Sequence, residues 1–259
     1  MKKLSRFELH SFLEEKVRQF NNPSFIEQDP ISIPHLFTGK ADIEIAGFLT
    51  ALIAWGQRPV ILRNARQWMQ RMDDRPGEFM VNHSLAERKK FGDFVHRTMN
   101  GEDAIYLLKA LQKTYRDEGG LEGLFSNNFA ASGNLAQTIS ATRRQLLSYS
   151  SPARTAKHLA DPLRNSSAKR ICMFLRWMVR KDKCGVDFGI WSKIPASALC
   201  CPLDLHSGRV ARSLHLLTRT QDDWKAVEEL TANLRTMDPA DPVKYDFALF
   251  GLGAIEGFK

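Results

Sequence analysis

Apolar residues recur three or four positions apart along nearly the whole chain, which is the spacing of an amphipathic helix. The pattern begins with Phe7, Leu9, Phe12, Leu13, Val17 and Phe20 and is stopped by Asn21-Asn22-Pro23. It predicts further helices at about 43–55, 59–72, 84–98, 101–117, 121–129, 134–149, 167–181, 204–216, 222–236 and 242–252. Period-two alternation with β-branched residues is scarce, so the sequence predicts an all-α fold.

The predicted helix from Ile43 to Trp55 carries Glu44 as its single charge, and a helix that is apolar all round is expected to be buried. The stretches 24–40 and 185–202 are rich in Pro and Gly and mark the best boundaries. We therefore predict one helical lobe built from 1–40 and 200–259, completed by both termini, and a central lobe over 41–199.

Charge and cysteine content narrow the class of protein. The 259 residues include 37 Lys and Arg against 29 Asp and Glu, a net charge of +8 that favours acidic partners, although many basic proteins bind none. The four cysteines contain no C-x-x-C pair, which favours free buried thiols over a metal cluster. No apolar run is long enough to span a bilayer. We expect a cytoplasmic monomer without metal, cofactor or membrane contact.

Most of the excess charge lies in Leu163–Lys183, which has seven Lys and Arg and one Asp, a net charge of +6. Projected as a helix, Lys169, Arg176 and Arg180 fall opposite an apolar face, which predicts an exposed basic ridge. The preceding Asn165, Ser166 and Ser167 are expected to cap this helix and to offer its N–H groups to a phosphate. The alternative is an ordinary solvated basic face.

Five other residues are considered for a site. Asp204, after Pro202, is expected to cap a helix, where N–H donors keep a carboxylate ionised, and a cap alone would also explain it. His206 follows as a structural or phosphate-facing donor. Gln57 and Arg58 place two polar donors on a loop after a buried helix, or simply cap that helix. We interpret Asp246 as a carboxylate at the start of a helix, although it could instead face a cleft.

These segments resemble the helix-hairpin-helix (HhH-GPD) DNA glycosylases. Leu163–Lys169 aligns with the superfamily hairpin L-P-G-V-G-x-K, with Leu163 and Lys169 matching. Leu203–Val210 aligns with V-D-x-H-x-x-R-V, with Asp204, His206, Arg209 and Val210 matching. The Gln of Ala54–Gln57 matches that of the superfamily's S-x-Q. The chain looks more closely like an uncharacterised bacterial family, a domain of unknown function. Its Lys169–Asp204 interval of 35 residues resembles the archaeal 8-oxoguanine glycosylase type.

The resemblance implies a two-lobed helical fold with a central cleft and an enzyme that extrudes a damaged nucleotide from duplex DNA. Lys169, deprotonated beside Arg170 and Arg176, would attack the sugar and form a Schiff base with abasic-site lyase activity. Asp204 would stabilise the developing positive charge. The DNA contacts implied by the three matched segments and the basic ridge are Gln57, Arg58, Arg164, Asn165, Ser166, Ser167, Arg176, His206 and Arg209.

Two other classes of function remain open. Asn165 and Ser167 stand where the superfamily hairpin has glycine, which favours a non-catalytic nucleic-acid binder on the same scaffold. A helical protein-interaction module whose basic ridge meets an acidic partner is the third hypothesis.

Overall fold

The computed structural model describes residues 4–149 and 151–258, and the fold is all-α, as predicted. In chain order the helices are α1 (Arg6–Phe20), α2 (Lys40–Ile53), α3 (Arg58–Gln70), α4 (Pro76–Asn82), α5 (Leu85–Lys89), α6 (Gly101–Asp117), α7 (Gly120–Ser132), α8 (Leu135–Leu147), α9 (Lys169–Val179), α10 (Leu205–Ser213), α11 (Trp224–Arg235) and α12 (Tyr245–Phe250). Short 3₁₀ turns connect them, and α12 continues as a π-helical turn, Gly251–Ile255.

The chain forms two compact units, which we call the terminal unit (Met1–Glu27 with Asp161–Lys259) and the central unit (Gln28–Ala160). The predicted boundaries after 40 and 199 differ from these. The segment 161–199 belongs to the terminal unit because its charged side chains pair with Asp241 and Asp246 and because Ser166 bridges to Asp223. Such long-range ionic partners leave no trace in the local apolar pattern.

In the central unit, α2 is buried from Ile43 to Ile53, as its composition predicts. Glu44 is buried with it and accepts a hydrogen bond of 2.8 Å from the Tyr115 hydroxyl. Helices α6, α7 and α8 pack against one another. Helix α6 begins at Gly101 because Asn100 and Asp103 form a reciprocal capping box there.

The prediction of one helix in the central unit is wrong. The expected helix at 84–98 ends at Lys89, and Val95–His96 (β1) pairs antiparallel with Met99–Asn100 (β2). Arg97, at the tip of this hairpin, has a φ of 54°, in the left-handed region that a continuing helix does not visit. The apolar spacing of this stretch is therefore due to the burial of Phe91 and Phe94 in the core and not to a helix.

In the terminal unit, α12 packs against α1 and α10, and the π-helical turn also packs on α10. The approach is close, because a Cβ placed on Gly253 would lie 2.9 Å from the His206 carbonyl oxygen. Phe188 N and Trp191 N donate to the Trp177 and Met178 carbonyls, which holds the chain after α9 along the end of that helix. Helices α1, α10 and α12 therefore form one packed group, and the chain after α9 lies along the end of that helix. None of the helices in residues 4–149 and 151–258 has the length and apolar composition needed to cross a membrane.

Candidate active site

Lys169 and Asp204, 35 positions apart in sequence, form an ion pair in the terminal unit. Lys169 is the first residue of α9 and Asp204 is the N-cap of α10, and the distance from Lys169 Nζ to Asp204 Oδ2 is 3.6 Å. Each side chain is 25% exposed, so the pair is accessible to a ligand while partly shielded from water. The Lys169 ammonium also contacts the Met173 sulfur at 3.6 Å.

The two carboxylate oxygens of Asp204 have different partners. Oδ1 accepts hydrogen bonds from His206 N at 2.9 Å and Ser207 N at 3.0 Å, and the Ser207 hydroxyl completes a capping box by accepting from Asp204 N. Oδ2 faces Lys169. Burial alone would raise the pKa of Asp204, but the Lys169 charge and the two N–H donors lower it below its ordinary value. Asp204 is therefore a carboxylate that stays ionised, as its expected capping position implies.

The turn before α9 differs from the predicted one. Asn165, Ser166 and Ser167 do not cap the helix; its N-cap is Ala168, which has a φ of 48° and provides no side-chain cap. Asn165 has a φ of 67°, the left-handed conformation that glycine or asparagine adopts most easily. Its side chain donates to Asp223 Oδ2 at 3.1 Å. Asn165 thus keeps a backbone conformation that glycine would allow, and Arg164 beside it is exposed.

The predicted basic ridge is wrong for Arg176 and Arg180. Arg176 lies on α9 and Arg180 is the C-cap of that helix, but each is only 3% exposed. They belong to a group of four buried and two half-buried residues that we call the arginine–aspartate cluster. Its buried members are Arg176, Arg180, Asp187 and Asp246, and its half-buried members are Asp182 and Asp241. Arg176 binds Asp246 and Asp187, the latter at 3.2 Å. Its charge is thus balanced, so Arg176 can neither reach a DNA phosphate nor act as an unpaired cation that deprotonates Lys169.

Arg180 extends the cluster away from Lys169. It binds Asp182 at 2.7 Å, Asp187 at 3.0 Å and Asp241 at 2.9 Å. Both guanidinium groups also lie over the Phe247 ring, with Cζ 4.3 Å and 5.4 Å from its centroid. Buried charges require this degree of pairing, because each is otherwise severely penalised by desolvation.

Asp246 connects this cluster to the Lys169–Asp204 pair. It lies on α12, is 6% exposed and accepts a hydrogen bond from Arg176 NH1 through Oδ2. Burial raises its pKa to about 6; the charges of Arg176 and Lys169 lower it, and those of Asp204 and Asp187 raise it. The sequence favoured a helix-start role for Asp246 and left a position facing a cleft as the alternative. The sole available signal was its place in an apolar C-terminal helix, where a carboxylate needs a buried partner.

The other predicted contacts lie in two separate places. His206 and Arg209 are exposed on α10 in the terminal unit. In the central unit, Gln57 is the exposed N-cap of α3, and Arg58, its first residue, is half-buried. The predicted buried thiols are found at Cys172 and Cys201, whose pKa values burial raises, whereas Cys184 is exposed. No group of His, Cys, Asp or Glu in the described residues is arranged to hold a metal ion.

A further exposed cation, Arg97, contacts the loop that precedes Gln57. The Arg97 guanidinium, at the tip of the β1–β2 hairpin, stacks on Trp55 with Cζ 4.6 Å from the ring centroid. The hairpin is tied to the loop because His96 Nε2 donates to the Trp55 carbonyl at 3.2 Å and His96 Nδ1 accepts from Asn64. Sequence reasoning missed Arg97 because it assigned this stretch to a helix.

The structure is thus that of a helical protein with an amine–carboxylate site. The start of α9 provides the amine of Lys169, and the start of α10 provides the ionised carboxylate of Asp204. Residues 29–255 match the family described as Protein of unknown function (DUF2400), and the chain belongs to that family. No curated protein and no solved structure matches the chain significantly.

Proposed function

We propose that this protein is a base-excision DNA glycosylase with abasic-site lyase activity, in which Lys169 is the nucleophile. The observation that carries the proposal is the Lys169–Asp204 pair, joined at 3.6 Å from two helix starts and one-quarter exposed on both sides. A lysine amine beside an ionised carboxylate suits attack on a sugar carbon that becomes positively charged.

The chemistry assigns a separate role to each member of the pair. Asp204 stabilises the oxocarbenium-like charge that develops on the sugar as the bond to the base breaks. Two backbone N–H groups hold its Oδ1, so its orientation is fixed before the reaction begins. Once the Lys169 ammonium has given a proton to solvent, its amine attacks C1′, and the base leaves with the electron pair of the broken bond. Opening of the sugar ring then gives a Schiff base, from which β-elimination nicks the strand.

Exposed and half-buried polar groups of each unit supply contacts for DNA. In the terminal unit these are Arg164 and Asn165 before α9, Ser166 and Ser167 beside them, and His206 and Arg209 on α10. In the central unit they are Gln57, Arg58 and Arg97. Phosphate contacts from such groups set affinity, whereas an extruded base is read separately. Double-stranded DNA that carries a damaged base or an abasic site is therefore the proposed substrate.

Borohydride trapping tests this function directly. We expect the wild-type protein to form a covalent adduct with a duplex that carries an abasic site or one of a panel of damaged bases. Peptide mass spectrometry is expected to locate the reduced adduct at Lys169. An undamaged duplex, and sodium chloride in place of borohydride, are the controls.

Other outcomes of the trapping experiment point to the other classes. Salt-sensitive DNA binding without any adduct would identify a non-catalytic binder. Absence of DNA retention at low salt would leave a protein-interaction module. An adduct at a lysine other than Lys169 would remove the site from the mechanism.

Replacing Asp204 with Asn separates its chemical role from its capping role. Asn caps a helix about as well as Asp, and the lost ion pair with Lys169 is partly exposed, so the free energy of unfolding is expected to change by no more than about 1 kcal/mol. Base release in a single turnover is expected to fall by about 10²-fold, because the negative charge facing the sugar is lost. Asp223→Asn, at the N-cap of α11, is the matched control, with base release unchanged. Equal rates for Asp204→Asn and wild type would contradict the role of Asp204.

Arg97→Ala tests the contact from the hairpin of the central unit. The slope of log affinity against log salt is expected to become shallower by about one unit, as for the loss of one phosphate contact. Arg75→Ala removes another exposed cation of the same unit and is expected to leave the slope unchanged. Fluorescence anisotropy with a labelled duplex at several salt concentrations measures both, and identical slopes for the two variants would exclude Arg97 from the interface.

A further inference from the structure

A pocket in the central unit has no residue in common with the Lys169–Asp204 site. Its volume is about 300 Å³, at the lower end of the range typical of small-molecule sites. Its walls come from the turn after α3, from α4 with its C-cap His83, and from α5. Three consecutive parts of the chain therefore form a concave surface that is large enough for a small organic molecule.

The imidazole of His83 is held at its Nδ1 edge and on one face. Nδ1 lies 2.9 Å from the Phe79 carbonyl oxygen, which can only accept a hydrogen bond, so Nδ1 carries the proton. The Gln112 amide nitrogen is farther from Nδ1, at 3.5 Å, and donates to the His83 carbonyl at 2.9 Å. The imidazole also stacks on the Phe79 ring, with centroids 4.8 Å apart and planes 12° apart. The protein itself thus sets the tautomer and the orientation of this ring.

The other ring nitrogen of His83, Nε2, is an acceptor that lacks a donor. With the proton on Nδ1, Nε2 keeps a lone pair, and it has no hydrogen-bond partner among the residues that the structure describes. His83 is 6% exposed, and its burial lowers its pKa, as do the charges of Arg88 and Arg116, which favours the neutral ring. Because buried polar atoms in proteins are nearly always paired, Nε2 marks a place where a ligand with an N–H or O–H group gains a hydrogen bond.

The charge of the pocket favours a cationic donor. Three carboxylates, those of Asp73, Glu78 and Glu87, line it together with one guanidinium, that of Arg75, which leaves an excess of two negative charges. Arg75 pairs with Glu78 at 3.5 Å. Hydrogen bonds from Ser84 lower the pKa of Glu87, which therefore stays ionised. Asp73 and Glu87 thus remain to attract a ligand with two positive charges.

Apolar side chains form another part of the wall. Phe79 is half-buried and Met72 is 1% exposed, and both line the pocket. Methylene groups gain free energy by packing against such side chains, whereas a hydrated metal ion does not. An ammonium group over an aromatic face gains a further attraction. The wall therefore fits the carbon chain of an alkylamine.

We propose that this pocket binds a small aliphatic polyamine, one ammonium group of which donates a hydrogen bond to His83 Nε2. The other ammonium group lies against the carboxylates of Asp73 and Glu87, and the carbon chain lies on Phe79. The inference does not rest on the proposed glycosylase function, because it uses no residue of the Lys169–Asp204 site.

Calorimetric titration of the wild-type protein with three probes of equal chain length tests the proposal. Putrescine, a four-carbon diamine, is expected to bind saturably with a Kd below about 1 mM. Its bis-quaternary trimethylammonium form keeps both charges but has no N–H group, so it is expected to bind at least about tenfold more weakly. Butanediol with terminal hydroxyls keeps the donors without the charge, and no binding is expected.

His83→Phe tests whether the bound amine contacts Nε2. Phe keeps a flat ring that can stack on Phe79 but has no acceptor, so putrescine binding is expected to weaken by at least about tenfold. Putrescine and its bis-quaternary form are then expected to bind equally, whereas a difference caused by the bulk of the methyl groups would persist. Circular dichroism checks that the variant is folded, and the three probes on the wild type keep the proposal testable if it is not.

Asp73→Asn tests the charge of the pocket, and Asp74→Asn is the matched control. Both aspartates are exposed and have φ values of 55° and 52°, a left-handed conformation that Asn also adopts readily. Asp73 lines the pocket and Asp74 does not. Asp73→Asn is expected to weaken putrescine binding about threefold, and Asp74→Asn to leave it unchanged.

Four results would overturn the proposal. Absence of saturable putrescine binding to the wild type would show that the pocket takes no such ligand. Equal wild-type affinities for putrescine and its bis-quaternary form would show that Nε2 accepts no hydrogen bond from the ligand. Equal weakening by Asp73→Asn and Asp74→Asn, or unchanged binding by folded His83→Phe, would place the bound amine outside the pocket. Borohydride trapping is independent of all four results, so the proposed function stands or fails separately.

Discussion

Lys169→Gln is expected to abolish the borohydride-trapped adduct and to lower base release by at least about 10³-fold. Gln has a similar length and polarity but no amine that could attack C1′, so a Schiff base cannot form. DNA binding is expected to persist, with the salt slope changed by no more than about one unit, because one cation is removed from the surface. Gel-based trapping and fluorescence anisotropy on the same duplex measure the two quantities.

Stability is not expected to explain this loss. In Lys169→Gln, Asp204 keeps its two N–H donors and its partial exposure, so the free energy of unfolding is expected to change by no more than about 1 kcal/mol. Lys181→Gln, at the other end of the same basic segment and exposed, is the matched control and is expected to keep full trapping. Trapping by Lys169→Gln at the wild-type level would refute Lys169 as the nucleophile.

Arg176→Met is expected to reduce the free energy of unfolding by about 3–5 kcal/mol, the largest stability effect that we predict. Met fills much of the same space but carries no charge, so Asp246 and Asp187 lose their shared cation in a buried setting. The contact between the guanidinium and the Phe247 ring is lost as well. Urea unfolding followed by circular dichroism provides the measurement.

The loss in Arg176→Met is also expected to depend on pH. Asp246 has a pKa raised to about 6 in the folded protein, against 3.8 for the ordinary group, and removal of Arg176 raises it further. A group with a raised folded pKa loses stability as the pH rises from its unfolded to its folded pKa. The destabilisation is therefore expected to be smaller at pH 5 than at pH 8.

Arg209→Met provides the matched control for the stability experiment. Arg209 is exposed on α10, so its replacement is expected to change the free energy of unfolding by less than about 0.5 kcal/mol. An equally small effect of Arg176→Met would show that the arginine–aspartate cluster contributes little to the stability of the terminal unit.

The local sequence was sufficient for most helices of this protein. The buried helix α2 follows from an almost uncharged run, and α10 from Asp204 placed after Pro202. Capping residues and apolar periodicity act within one or two turns, so they can be identified without knowledge of the fold. The hairpin at 95–100 could not be predicted in this way. It depends on the left-handed backbone conformation of Arg97 and on the contacts of His96.

The candidate site required more than local pattern. The resemblance to a glycosylase family selected Lys169 and Asp204, and the structure places them 3.6 Å apart. The helical projection predicted an exposed Arg176, which is wrong. A basic helix face has the same sequence whether it lies in water or against buried aspartates. Asp246 received a minor role because its acidity depends on Arg176, Lys169 and Asp204, which lie on other elements.

By itself the sequence determined the helical class, the burial of α2, the cap at Asp204 and the concentration of charge before and within α9. Only the tertiary structure decided which of those charges are exposed, which aspartates pair with Arg176 and Arg180, and which unit holds the segment 161–199. Helix formation and capping are set by neighbours a few residues away. Burial and charge pairing, in contrast, are set by residues far apart in the sequence, such as Arg176 and Asp246 at 70 positions, and folding alone brings these together.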